Sequence, residues 1–146
     1  LLKSEKYKFF SILRPTSPFR TISNINEAID TFGKNLWADS LRSVTDSCQH
    51  PGKMWIIKNK IMTPVLPFSN KGVPWHSMQK KALSKVYQQN GCLEISKISN
   101  VVNDFSISGN LVIPFVMNKY EGHDINTEED WIIAEHYLNS NNVNYE

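Results

Sequence analysis

The chain has 146 residues, 40% of them hydrophobic and 21% charged, with a formal net charge of +2. That is enough chain for one domain with its own core, and the balance excludes a disordered tail or a fibrous protein. The two signs of charge are interspersed, so the electrostatic footprint of a nucleic-acid binder is absent and no nucleic-acid partner is expected.

The two cysteines, Cys48 and Cys92, follow no repeated spacing and read as free thiols of a reducing compartment. No apolar run reaches membrane-spanning length and no charged-then-apolar leader opens the sequence, so the expected location is the cytoplasm, away from any membrane. The opening Leu1-Leu2-Lys3-Ser4 has neither a methionine nor a cap and resembles the tail of a helix. A fragment or a trimmed product is the expectation.

In chain order, Tyr7 to Leu13 is short, aromatic and apolar on both faces, the pattern of a strand covered on both sides as in a parallel sheet. A loop with two prolines, two arginines and several hydroxyls, Arg14 to Thr21, follows it. Asn24 with Glu27 forms a capping box for a helix whose stripe is Ile25, Ala28, Ile29 and Phe32, and Gly33 is placed to stop it. Leu41 to Thr45 reads as the next strand, which makes a βαβ unit.

After Cys48 the character changes. Met54 to Ile57 and Ile61 to Val65 flank Lys58-Asn59-Lys60 as in a hairpin. A polar loop runs from Pro67 to Trp75, and a short helix is expected near Gln79 to Leu83. The block from about His50 to Gln88 thus reads as an insertion between sheet strands. Leu93 to Ile95 and Leu111 to Val116 return to strand character, and Pro114 puts its strand at an edge or on a bulge. Thr127 and Asp130 form the capping box of a last helix, with Trp131, Ala134 and Leu138 as its buried stripe. The Asn-rich stretch Asn139 to Asn144 reads as a frayed tail.

Three places carry possible chemistry. In an extended segment Asp124 and Asn126 point to one side, where they can offer two oxygens to a hard cation such as Mg²⁺; a solvated pre-helix turn is the plain alternative. The Arg14 to Thr21 loop lies beyond the carboxyl end of a strand, where open α/β sheets bind ligands. Its hydroxyls (Thr16, Ser17) and arginines (Arg14, Arg20) suit a polyhydroxylated or anionic ligand, and a rigid connector is the alternative. Gln88-Gln89-Asn90-Gly91 precedes a strand and by itself reads as a plain turn. Cys48, His50, His76 and Cys92 match no zinc spacing.

Taken in order, these pieces resemble the cytidylyltransferases that activate acidic sugars, above all the CMP-N-acylneuraminate (CMP-sialic acid) synthetases. Arg14-Pro15-Thr16-Ser17-Pro18-Phe19-Arg20-Thr21 is similar to that family's Q-P-T-S-P-L-R-T loop. Ser43-Val44-Thr45, then His50-Pro51 with Lys53, resembles its S-V and H-P-x-K stretch. Asn90-Gly91 resembles its N-G before a strand, and Asp124-Ile125-Asn126-Thr127-Glu128-Glu129-Asp130 its D-I-D-T-E-x-D signature. The likeness runs from about Tyr7 to Leu138. Four departures stand out: Arg14 for glutamine, Asn126 for the second aspartate, Gln88 for arginine and Glu94 for tyrosine. The Gly/Arg/Lys-rich loop with which the family grips CTP has no counterpart in these residues.

The resemblance implies a Rossmann-like nucleotidyltransferase sheet, incomplete here because N-terminal strands are missing, with residues 50–88 as an inserted dimerisation arm. It implies transfer of CMP from CTP to an acidic nine-carbon sugar with release of pyrophosphate. Asp124 would hold Mg²⁺ with help from Asn126. Thr16 and Ser17 would sit in the sugar pocket with Arg14, Arg20, Gln88 and Asn90 around it, and Lys53 and Lys80 would reach the acidic substrate of a partner subunit. A homodimer also follows from the apolar content of the arm (Met54, Trp55, Ile56, Ile61, Val65, Leu66). Without the CTP loop the isolated chain is expected to be inactive. The second hypothesis is a non-catalytic module of the same fold that binds an acidic sugar or serves dimerisation.

Overall fold

The computed structural model describes residues 7–66 and 72–140. They form two compact units, one built from residues 7–45 and 89–140 and the other from residues 46–88. Among the described residues no helix is long and apolar enough to cross a membrane.

The first unit is mixed α/β around a sheet of four strands in the order β1-β5-β2-β6. The strands are β1 (Phe9–Leu13), β2 (Ser40–Asp46), β5 (Tyr87–Lys97) and β6 (Val112–Val116). β1 pairs antiparallel with β5, Phe9 opposite Lys97 and Leu13 opposite Leu93. β2 pairs parallel with β6, Ser40 opposite Val112 and Val44 opposite Val116. The sheet is therefore mixed. Its two inner strands are buried along most of their length, while β1 and β6 alternate with exposed positions. The expectation of a first strand covered on both sides thus gives way to an outer strand among those described. Pro114 lies in the outer strand β6, where its missing N–H disrupts no ladder on the open side.

Helix α1 (Ile22–Lys34) crosses from β1 toward β2. It starts earlier than the sequence suggested: Thr21, not Asn24, is the N-cap, and Asn24 is the third helical residue that completes the capping box. The Thr21 hydroxyl accepts from the Asn24 amide at 3.1 Å and Asn24 Oδ1 accepts from the Thr21 amide at 2.9 Å, and this reciprocal pair starts the helix three residues earlier. Gly33 lies inside the helix, whose cap is Asn35. Ala28 and Phe32 from this helix meet Leu41, Leu93, Ile95 and Ile113 from the sheet in the main core. Burial of that set supplies the largest stabilising term, at about 25 cal/mol per Å² of apolar surface.

Two elements depart from expectation. Asn90-Gly91 does not end a turn but lies within the 11-residue strand β5, where Gly91 takes φ +68. A second helix, α2 (Ile98–Asp104), follows β5 directly and is closed by Phe105 in the left-handed region. The last helix, α3 (Glu128–Asn139), has the Thr127–Asp130 capping box as expected. Its buried face is a different one. Trp131 is 53% and Leu138 47% exposed, and only Ala134 of the proposed stripe is buried. Asp130, Ala134 and Tyr137 line the inward side, and Ala134 packs with Phe19 against Tyr120, Ile125 and Tyr137. The Asn-rich tail beyond Ser140 and the loop from Pro67 to Lys71 lie outside the described residues.

The second unit holds the hairpin of β3 (Trp55–Lys58) and β4 (Ile61–Pro64), with Lys58 opposite Ile61 as anticipated. The short helix near Gln79 is a single 3₁₀ turn, Lys80–Ala82, and two more such turns cover Pro51–Lys53 and Trp75–Ser77.

Candidate functional site

Two loops of the first unit, the one after β1 and the Asp124 segment, meet the Asn90–Cys92 part of β5. The backbone joins the two loops directly: the Ile125 amide donates to the Thr16 carbonyl at 2.9 Å. Arg20 ties the first loop to β5, donating to the carbonyls of Arg14 at 3.0 Å and Cys92 at 2.7 Å. The structure thus brings together Arg14, Thr16, Ser17, Arg20, Asn90, Asp124 and Asn126, all singled out from the sequence. Lys53, Lys80 and Gln88 belong to the other unit.

Asn90 is buried, and its side-chain oxygen is the hub of the inner floor. It accepts from the Ser43 hydroxyl at 2.6 Å and from the Cys92 amide at 3.1 Å, while the Leu93 amide donates to Ser43 Oγ at 2.8 Å. The left-handed Gly91 turns the chain so that this is possible. Gly122 closes over the same spot, and a Cβ there would collide with Asn90 Nδ2 and Thr45 Cγ2.

Among the described residues, two buried side-chain oxygens nearby have no hydrogen-bond partner, Ser17 Oγ and Asp124 Oδ1, although the Ser17 hydroxyl is close enough to the Cys92 thiol to act on it. Such atoms are rare because each leaves its desolvation uncompensated unless water or another group meets it. Cys92, fully buried, is their neighbour. Burial pushes its thiol up, the Ser17 hydroxyl and the Arg20 guanidinium act against that, and the Asp124 carboxylate adds to it. The other oxygen of Asp124 accepts from the Asn126 amide at 2.7 Å. Asn126 therefore turns its nitrogen, not its oxygen, toward the carboxylate, and a cation shared by the pair would need that amide turned over. Among the described residues no group of three or more His, Cys, Asp or Glu is placed to hold a metal ion. A Mg²⁺ ion takes one or two protein carboxylates and fills its shell with phosphates and waters, and Asp124 Oδ1 is the oxygen here that could serve one.

A second cluster, which shares Arg14 with the first, is centred on Glu94 of β5. Glu94 is buried, with its side chain 4% exposed, and is bridged by Arg42 on one oxygen and by Arg14, at 3.0 Å, on the other. Arg42 also donates to Ser108 Oγ at 2.7 Å, and Gln89 reaches Glu94 at 3.4 Å. Arg42 was not singled out from the sequence, and Glu94 only as a departure from a family pattern. The available signal was a lone carboxylate between Leu93 and Ile95, since a buried charge must be paired.

In the second unit, Lys53 Nζ donates to the carbonyls of His76 at 3.0 Å and Met78 at 2.5 Å, and Lys80 Nζ to that of Cys48 at 3.0 Å. The Gln88 amide oxygen accepts from the Ser47 hydroxyl at 3.2 Å. His50 Nδ1 accepts from the Gly52 amide at 2.9 Å and so shapes the His50-Pro51-Gly52-Lys53 turn. Gly52 is required there, because a Cβ would lie 2.8 Å from Trp75 Cβ. No protein-family model matches the chain.

Proposed function

We propose that this chain supplies the sugar-binding part of a Rossmann-like cytidylyltransferase that moves CMP from CTP to an acidic nine-carbon sugar and releases pyrophosphate. The observation that carries this is the meeting of the Arg14 to Thr21 loop, Asn90-Gly91 and the Asp124 segment around two buried, partnerless oxygens. In such a transfer the sugar hydroxyl attacks a phosphorus, so the protein's work is orientation and charge compensation. Ser17 and Thr16 orient the hydroxylated ligand, Asn90 keeps the floor rigid, and Asp124 is the carboxylate available to Mg²⁺. The cation, when bound, supplies positive charge to the phosphate. Lys53 and Lys80 enter through a homodimer, whose contact is the apolar arm: Ile56, Ile57 and Ile61 are each more than half exposed.

A second reading, a non-catalytic acidic-sugar or dimerisation module, draws on the Asn126–Asp124 hydrogen bond, which occupies one of the two carboxylate oxygens. Titration of the chain with N-acetylneuraminate, CTP and Mg²⁺, followed by ligand-observed NMR and by pyrophosphate release, separates the two. Sugar binding that is lost in Ser17→Val, with Mg²⁺ binding lost in Asp124→Asn, is the expected result. Pyrophosphate release is expected to be slight, since these residues contain no Gly/Arg/Lys-rich triphosphate loop. Sugar binding that no Mg²⁺ or CTP influences would favour the module. Absence of sugar binding would overturn the transferase and the acidic-sugar module together.

A further inference from the structure

Of the three arginines at the candidate site, Arg14 is the most exposed. Arg20 turns Nη1 to two backbone carbonyls and Arg42 turns its two terminal nitrogens to Glu94 and Ser108, and both are only partly exposed. Arg14 uses one terminal nitrogen on Glu94, and its side chain is half exposed. A guanidinium carries five N–H donors in a planar fork, so most of the Arg14 fork stays open.

Its position is fixed from two sides. Glu94 holds one terminal nitrogen at 3.0 Å. The Arg14 side chain lies across Gly91, where a Cβ would come within 3.2 Å of Nε and 3.3 Å of Cδ. Glu94 itself is held by Arg42 and is buried, so it is a rigid anchor. One carboxylate shared by two guanidinium groups leaves a surplus of one positive charge, and Arg14 is the member of the trio that reaches solvent. An oriented, half-exposed fork with surplus positive charge matches a carboxylate.

We infer that Arg14, oriented by Glu94 over Gly91, is the specificity residue that binds the carboxylate of the acidic ligand; this rests on the sugar-binding function proposed above. Glu94 is a positioning residue. The two side chains that depart together from the family pattern, Arg14 and Glu94, are thereby one device, because each would be unsuited to its place without the other. A lone Glu94 there would have Arg42 alone as counter-ion, and a lone Arg14 would lose the contact that aims it.

The test compares N-acetylneuraminate with its methyl ester, which keeps the shape and removes the charge, on the full chain. Wild type is expected to prefer the free acid by about tenfold or more, the range of a charge-assisted hydrogen bond. Arg14→Gln should abolish that preference while leaving the circular dichroism spectrum unchanged, and Arg14→Lys should restore part of it. Glu94→Gln should reduce the preference in the same direction; should that variant fail to fold, Arg14→Gln carries the test by itself. A wild-type preference that survives in Arg14→Gln would overturn the inference and leave the proposed function standing. Failure of the wild type to bind either ligand would overturn the proposed function and the inference together.

Discussion

The Ser43 hydroxyl donates to Asn90 Oδ1 at 2.6 Å while accepting from the Leu93 amide at 2.8 Å, so one buried hydroxyl joins β2 to the left-handed kink in β5. Every polar group in this knot has a partner, and each depends on the others. Removing the hydroxyl leaves the Leu93 amide without its acceptor and Asn90 Oδ1 with the Cys92 amide alone.

Ser43→Ala is therefore expected to cost about 1–3 kcal/mol, the penalty of stranding a buried donor. Denaturant unfolding checks this, and a loss within error of zero would mean that water replaces the hydroxyl. The variant should also weaken any ligand bound near Asn90, because the floor loses its rigidity.

Acid should loosen the start of the last helix. Asp130 accepts from the amides of Asn126 and Thr127 and from the Thr127 hydroxyl, with the Asn126 amide the strongest influence, and these hold its carboxyl below the ordinary value of 3.8. A depressed folded-state pKa contributes stability that is present above the unfolded value and is lost as pH falls through the folded one. Asp39, lowered chiefly by the Leu111 and Asn110 amides, acts in the same direction. Helix α3 is thus expected to keep constant protection at neutral pH and to fray as the pH drops below about 4. In Asp130→Asn, amide exchange in α3 should lose most of this acid dependence. A variant with the wild-type pH profile would show that the capping box does not control it.

The hairpin of the second unit carries a local strain that can be relieved. Lys58 pairs with Ile61, which leaves Asn59 (φ 52) and Lys60 (φ 65) as a two-residue turn with both residues in the left-handed region. This is the turn that suits the twist of a hairpin, and it favours Asn-Gly. Lysine at the second position costs roughly 1 kcal/mol. Lys60→Gly should slow amide exchange in β3 and β4 by an amount worth up to about 1 kcal/mol, once glycine's larger unfolded-state entropy is subtracted. Asn59→Gly should gain less, since asparagine tolerates this region. Faster exchange in Lys60→Gly would contradict the assignment.

The two thiols should differ sharply. Cys48 is exposed, whereas Cys92 has no solvent-exposed surface and burial pushes its thiol up. A disulfide reagent at pH 8 is expected to label a single thiol rapidly in the native chain and both in denaturant. Rapid labelling of two thiols would mean that the loops around Asp124 open readily. Slower labelling of Cys92 in the presence of sugar would place the ligand over it.

Much of this was legible in the sequence, for reasons of short range. The α1 stripe of Ala28 and Phe32, the Thr127–Asp130 capping box, the hairpin around Asn59-Lys60 and the outer-strand proline Pro114 each follow from spacing or from one residue's backbone preference. Of the residues that converge, Thr16, Ser17 and Asp124 stood out by their hydroxyls and a pre-helix carboxylate in predicted loops, whereas Asn90 stood out only through the resemblance. What only the tertiary structure decided is who meets whom. Asn90-Gly91 reads as a turn by itself, and becomes part of a strand because Ser43 across the sheet supplies the hydrogen bond that a turn would otherwise need. The inward face of α3 is set by Phe19 and Ile125, not by the helix's own apolar residues, so Trp131 and Leu138 stay exposed. Glu94, Arg14 and Arg42 lie 52 and 80 residues apart in sequence, and no local pattern signals that one carboxylate will bridge two guanidinium groups. Periodicity and backbone preference act over a few residues, whereas a buried charge selects its partners from the whole fold.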